Sequence, residues 1–412
     1  MSVTKVLIAH PGTQHSHQLV RQFERLGVLH RYWTGICFPE SKLVDLLRGI
    51  LWGGAGNAIS NRILRNVPGA RIRCAPLNEI RAMYRLRSAQ NSEKILFARN
   101  ASFQEAVSEA DFRACDVVVG FDTSSWRLAE RAQAAGKRFI LDYSTIPSQS
   151  KSRICDEVAM RYPEWAFNIN RKADVHLDLE RKELALASEV VVASSFAKQT
   201  LISNGVPEAK ITVNPYGVDA GHFHNPGRSS IESRALKFVF VGAVNALKGV
   251  PMLVDCLSSD EGKNFDFTII GPVEESVRAA ISRKAPNIKL LGKIAHAKLP
   301  SILSQYDVLV FPSYFEGFGL VILEAMSMGL AVVTTRNTCG PDVIEDGTDG
   351  LLIPAGDQGQ LRSALARLNA RPDAARQMGQ RAVLKVRKYS WDAYGDRWNS
   401  ILARGRESVA AQ

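Results

Sequence analysis

Residues 306–335 read YDVLVFPSYFEGFGLVILEAMSMGLAVVTT, and this stretch decides the fold. Two short apolar runs, Val308–Phe311 and Ala331–Thr335, have the length and composition of buried strands, and an apolar helix lies between them. Pro312 cannot donate to a central ladder, so the first strand stops there. The helix is expected to start near Gly319 and run to about Met328, with Gly329 as its C-terminal stop. Strands apolar throughout belong to a parallel sheet covered on both faces. Two acids stand out. Glu324 sits among Leu320, Val321, Ile322, Leu323, Ala325 and Met326, where an ionised carboxylate is costly without hydrogen-bond donors. Glu316 lies just outside the carboxyl end of a strand, the place where ligands collect in open α/β sheets. Between them Gly317-Phe318-Gly319 offers close backbone approach and opens a helix whose first N–H groups favour phosphate. Each acid alone would be an ordinary helix or loop charge. Their combination with the glycines and the strand end marks a ligand site.

The same alternation runs through most of the chain. Toward the amino terminus, a strand over 5–10 is followed by the loop Pro11-Gly12-Thr13-Gln14-His15 and a helix over 16–26. Strands are expected at 117–120, 139–141, 189–193 and 211–214, with helices at 126–135 and 196–204, and Ser194–Ser195 capping the last. Residues 151–189 read as helical and charged. Asp122 and Asp142 each follow a strand. The stretch 220–235, rich in glycine, proline and polar residues, is the best linker candidate. Beyond it strands at 238–241, 267–270, 288–291 and 351–353 resume the pattern. At 412 residues the chain exceeds one core, and alternation on both sides of a linker predicts two doubly wound α/β domains facing each other across a cleft. We place them at 1–218 and 219–388, with a final helix over 389–412 packing back on the first.

Composition narrows the class. The apolar fraction of 46% and charged fraction of 23% are those of a soluble protein. The opening MSVTKVLIAHPG has too short an apolar run for a signal peptide, and no run approaches a membrane span. Six cysteines are scattered without a CxxC pair, which suits free thiols in a reducing cytoplasm. The net charge is +11, and residues 48–113 hold eleven basic against five acidic side chains. That surface attracts anionic partners, either solvated or engaged with phospholipid or phosphorylated substrate. The segment 41–52, SKLVDLLRGILW, reads as an amphipathic helix, a core element by default or an interfacial one beside the basic stretch. Nucleic acid is not expected, since no basic–aromatic interleaving appears. Gly53, Gly54 and Gly56 follow no strand and carry little signal. His10, His15 and His17 invite a metal, but no carboxylate or cysteine pattern accompanies them. A loop histidine hydrogen-bonding substrate is the preferred reading, and no metal site is expected.

Read together, FPSYFEGFGLVILEAMSMG resembles the E-x7-E signature of retaining glycosyltransferases of family 4, with Glu316 and Glu324 as its acids. Around it, VVASSFAKQTL…KITVNPYGVD, FVGAVNALKGV and DGTDGLLIPAGD resemble the family's flanking segments in order, over about 190–360. The resemblance implies the GT-B fold, two Rossmann-like domains with a nucleotide-sugar donor between them. Glu324 would then hold the ribose, Glu316 the donor sugar, and the Phe318 and Gly319 amides with Gly317 and the helix start at Leu320 the sugar and diphosphate. Lys248 matches the phosphate-binding lysine, and Gly12 would approach the diphosphate from the other domain. Where the family often has an arginine this chain has Ala243, so that contact is expected from Asn245. The family's first-domain histidine has no counterpart near 117–123, where Asp122 takes the catalytic candidacy.

The implied reaction is sugar transfer to an acceptor hydroxyl with retention, without metal or other cofactor, on a lipid-linked or saccharide acceptor in cell-envelope polysaccharide or glycolipid assembly. The enzyme is expected in the cytoplasm or peripheral on the cytoplasmic membrane face. The alternatives are a sugar-nucleotide epimerase or phosphorylase on the same scaffold, and a non-catalytic nucleotide-sugar-binding module.

Overall fold

A computed structural model describes residues 4–13, 15–41, 59, 62–86, 92–169, 174–225 and 234–410. The amphipathic segment 41–52 beyond Ser41, the glycines at 53, 54 and 56, and linker residues 226–233 lie outside the described residues. The strands come in two groups. The first comprises β1 (Val6–His10), β2 (Leu29–Thr34), β3 (Phe38–Pro39), β4 (Ile63–Leu64), β5 (Ile72–Cys74), β6 (Val117–Phe121), β7 (Arg138–Tyr143), β8 (Glu189–Val192) and β9 (Ile211–Val213). The second comprises β10 (Lys237–Val241), β11 (Asp266–Ile270), β12 (Ile288–Gly292), β13 (Val308–Phe311), β14 (Ala331–Thr335) and β15 (Leu351–Ile353).

They form a seven-stranded sheet in the order β5-β2-β1-β6-β7-β8-β9 and a six-stranded sheet in the order β12-β11-β10-β13-β14-β15, while β3 and β4 pair separately. Every pairing is parallel. The central strands β1, β6, β13 and β14 are buried at every position. That burial is why their sequences read as continuous apolar runs rather than alternating ones. In each sheet the strand order reverses beside β1 or β10, and the crevice outside the carboxyl ends at such a point is where ligands bind. The chain thus has the two doubly wound halves that the alternation predicts.

β2 and β5 were not anticipated. Leu29–Thr34 carries His30 and Arg31 in its middle, and its burial is mixed along the strand. Ile72–Cys74 is three residues long at the sheet edge, with only Ile72 buried. Neither offers the unbroken apolar run that identifies the central strands. The expected linker also holds more structure than its composition suggests: Phe223 is buried, with its ring 5.2 Å from His296.

The chain crosses between the halves twice, side by side. Val218 N donates to Tyr389 O at 2.9 Å, and Val218 bridges Ser390. The helix Trp391–Ala410 then lies on the first half. Arg397 donates to Asn214 Oδ1 and Pro215 O at 2.7 and 2.6 Å. Arg138 donates to the carbonyls of Ile401 and Leu402, and the fully buried Trp398 packs edge-on against Phe23 with centroids 5.4 Å apart.

Candidate active site

Two loops of the second half are fastened together before any ligand is considered. Tyr314 N donates to Leu247 O at 2.8 Å, and the Ser313 hydroxyl donates to Leu247 O at 3.2 Å and to Glu316 Oε1 at 2.8 Å. Glu316 N donates to Asn337 O at 2.8 Å, which fixes the acid just beyond β13. This fastening brings the Lys248 ammonium into an ion pair with Glu316 Oε1. The pair keeps two partly buried charges compensated. Asn245 Oδ1 accepts from Lys248 N at 3.0 Å, shaping the turn that carries the lysine.

From Glu316 the chain turns through Gly319, at φ +95°, into the helix Leu320–Ser327. No side chain caps this helix start, so its first N–H groups remain available to an anion. Inside the helix, Glu324 is 12% exposed and has a partner that its own segment does not contain: His296 Nε2 stands 2.8 Å from Glu324 Oε1. The hydrogen bond to this carboxylate raises the His296 pKa above its ordinary value against the lowering effect of burial.

Two cavities meet at the Lys248–Glu316 pair. One, of about 420 Å³, runs within the second half among Gly242, Ala243, Pro272, Lys293, Ile294, His296 and Glu324. The other, of about 590 Å³, lies between the halves, with His15, Ser144, Thr145, Lys151 and Tyr216 facing Asn245, Phe315 and Phe318. Lys248, Glu316, Gly319 and Leu320 line both.

On the facing wall His15 is 5% exposed, and its Nε2 stands 2.9 Å from Asp142 Oδ2. Because a carboxylate only accepts, this bond puts the imidazole proton on Nε2. Tyr216 OH lies 3.1 Å from Nδ1 and 3.2 Å from Nε2. Burial first, then the Asp142 charge, pushes the Tyr216 phenol well above its usual range, so it stays a donor. Both ring nitrogens of His15 are thereby engaged. Of the other loop histidines, neither lines these cavities; burial lowers His10 well below its ordinary value and brings His17 to about 4.

The structure brings Lys248, Asn245, Glu316, Gly317, Phe318, Gly319 and Leu320 to the cleft, and Glu324 to the adjoining cavity. Three of the expected residues have protein contacts of their own. Asp122 lines neither cavity; its Oδ1 accepts from Ser144 N and Oγ at 2.9 and 2.7 Å, which holds the 144–145 loop. Gly12 lines neither cavity, and the His10 ring fills the space beside its Cα. Gly317 was read as making room for ligand, but a side chain there would meet Ser144 O at 1.9 Å. Its absence lets the two halves touch, and Ser194 Oγ donates to Gly317 O at 2.7 Å across the same contact. Of the three loop histidines considered for a substrate contact, His15 is the one on the cavity wall, while Tyr216, Lys293 and His296 were not anticipated there. Each comes from a segment remote in sequence, and only the register of the two sheets collects them.

Residues 235–371 match the family model described as Glycosyl transferases group 1. Among curated proteins, the amylovoran biosynthesis glycosyltransferase AmsK of Erwinia amylovora is 28% identical over 41% of this chain and 44% of its own. The chain spans about half the length of the curated relatives it matches. Among solved structures, sucrose-phosphate synthase from Thermosynechococcus elongatus superposes with a TM-score of 0.67 at 18% identity, covering 99% of this chain and 100% of that one. Anabaena Alr3699/HepE in complex with UDP-glucose gives 0.62 at 14% identity, over 97% and 99%. The fold is therefore the two-domain GT-B arrangement of these structures, and within the second half residues 235–371 are similar to the glycosyl transferases group 1 model.

Proposed function

We propose that the protein is a glycosyltransferase that moves a sugar from a nucleotide-sugar donor to an acceptor hydroxyl with retention of configuration. The observation that carries this reading is the junction of two cavities at Lys248–Glu316, with an uncapped helix start beside it and Glu324 in the arm within the second half. The nucleoside would occupy the 420 Å³ cavity, with its ribose hydroxyls donating to Glu324. The diphosphate would lie at the junction, taking Lys248 from Glu316 while the donor sugar's hydroxyls take Glu316 from Lys248. Ala243 leaves a place for a further donor: Lys293 on the wall of the same cavity suits it, and Asn245, whose Oδ1 accepts from Lys248 N, keeps its amide N–H groups to donate.

Departure of the diphosphate develops negative charge at the junction. Lys248 and the helix start meet that charge, so the chemistry asks for no metal. On the acceptor side, both His15 ring nitrogens have partners in Asp142 and Tyr216. In this reading attack comes from the leaving-group face, with the departing phosphate oxygen taking the acceptor's proton. The group 1 domain and the likeness to an amylovoran glycosyltransferase support a role in polysaccharide or glycolipid assembly, with a saccharide or lipid-linked acceptor entering the inter-half cleft. A thermal-shift screen over uridine, guanosine and adenosine diphosphates and their sugars tests the reading. Stabilisation by one nucleotide family, with turnover unaffected by chelator, is expected; absence of any nucleotide response overturns it.

A further inference from the structure

Behind the glycine loop of the candidate site, the second half carries a carboxylate that reaches across to the first. Asp342 lies on the short helical turn Gly340–Val343 and lines neither cavity. Its Oδ2 accepts at 3.0 Å from Ser195 N, the first amide of the nine-residue helix Ser195–Ser203. An N–H at a helix start has no partner inside its own helix, and a carboxylate there meets both the amide and the positive end of the helix dipole. Here the acid comes from the other half, 147 positions along the chain. Burial raises the Asp342 carboxyl above its ordinary value, and donation from Ser195 opposes that rise.

The contact belongs to a closed circuit of hydrogen bonds. Ser194 Oγ caps the same helix by accepting from Ala197 N at 3.2 Å, and it donates to Gly317 O at 2.7 Å. Phe318 O accepts at 2.8 Å from Cys339 N, at the head of the turn that carries Asp342. The path runs from Gly317 through Ser194 and Ser195 to Asp342, and back through Cys339 to Phe318. From behind, Tyr389 OH donates to Asp342 O at 2.6 Å, and Tyr389 O accepts from Val218 N where the chain crosses between the halves. Asp342, Ser194 and Ser195 line neither cavity, yet their circuit closes on the two residues that follow Glu316.

We propose that Asp342 is a positioning residue: by holding the start of the first-half helix it fixes Gly317 and Phe318, and through them sets Glu316 against the first-half wall of the cleft. Asp342 touches no ligand in this arrangement and acts only through the loop. Its effect on turnover rests on the transferase reading, whereas its effect on the loop rests on the circuit alone. Nucleoside affinity, set in the cavity holding Glu324, is independent of it.

Hydrogen exchange, nucleoside diphosphate titration and nucleoside diphosphate release from uridine, guanosine and adenosine diphosphate sugars test it on the full chain. In Asp342→Ala the amides of 195–197 and of 316–319 should exchange roughly tenfold faster, since a hydrogen bond to a charged acceptor is lost. Turnover should fall on the order of 10- to 100-fold, as for a misplaced reacting group, while the nucleoside diphosphate dissociation constant stays within about twofold. Asp342→Asn keeps an oxygen acceptor and loses only the charge at the helix start, so its turnover should return to within about fivefold of wild type. Ser194→Ala opens the same circuit at Gly317 and should reproduce the alanine pattern, which keeps the test decisive if Asp342→Ala does not fold. Unaltered exchange at 316–319 in these alanine variants overturns the proposal whatever the rate does. So does an undiminished rate, an equal loss of nucleoside diphosphate affinity, or an asparagine variant as slow as the alanine one. If wild type neither binds a nucleotide nor turns over a donor while 316–319 still loosens in the variants, the transferase reading falls and the positioning of the loop stands.

Discussion

Glu324 shows how far a single residue can be read. Its apolar neighbours announce a carboxylate that needs donors, and the structure supplies one from His296 while leaving the acid on a cavity wall. The donor came from a segment 28 positions away, so no local pattern could reveal it. Asp122 shows the converse: its position after β6 was legible, but the acceptance of Ser144 N by its Oδ1 was not. Glu324→Gln should weaken nucleoside diphosphate binding by roughly 1.5–3 kcal/mol, the worth of a charged hydrogen-bond acceptor, as titration calorimetry would register. Lys248→Ala should lower turnover on the order of 10²- to 10³-fold, as expected for losing one group that meets the leaving-group charge; an unaltered rate would make the lysine merely structural. His296 yields a pH prediction. Its pKa is raised in the folded protein, so the bond to Glu324 stabilises fully below the ordinary histidine value of about 6.5 and is lost as pH rises through the folded value. The gap in melting temperature between wild type and His296→Gln should therefore shrink from acid to mildly alkaline pH.

At the scale of elements, β13, β14 and β15 could be bounded from sequence alone, because apolar runs closed by proline, glycine or polar turns have few other readings. Loops were less readable. The 313–319 loop appeared to be shaped by ligand, yet much of its form answers to other protein atoms, Leu247, Asn337 and Ser144 among them. Gly317→Ala makes the distinction measurable. A methyl group 1.9 Å from Ser144 O must push the halves apart or swing Glu316 away from Lys248. Turnover should collapse while nucleoside diphosphate affinity, set in the arm holding Glu324, changes little. Equal loss of both would show that the loop serves the nucleoside as well.

For the whole molecule, alternation on two sides of a polar stretch was enough to foresee two doubly wound halves. Their mutual placement was not readable, since it depends on the paired crossings near Val218 and Tyr389 and on the helix Trp391–Ala410 lying across the first half. That helix is fixed by burial more than by its surface ion pairs. Trp398→Ala should cost about 3–5 kcal/mol in denaturant unfolding, the range for emptying a buried tryptophan site, whereas Asp396→Ala, which breaks a pair with Arg25 exposed on both sides, should cost little. The central claim is that the junction at Lys248–Glu316 receives a nucleotide-sugar whose nucleoside reaches Glu324. The most direct measurement is calorimetric titration of uridine, guanosine and adenosine diphosphates into wild type and Glu324→Gln. The account predicts that one nucleotide binds wild type and that its affinity falls at least tenfold in a folded variant. Equal affinity in both proteins, or no binding to either, would contradict it.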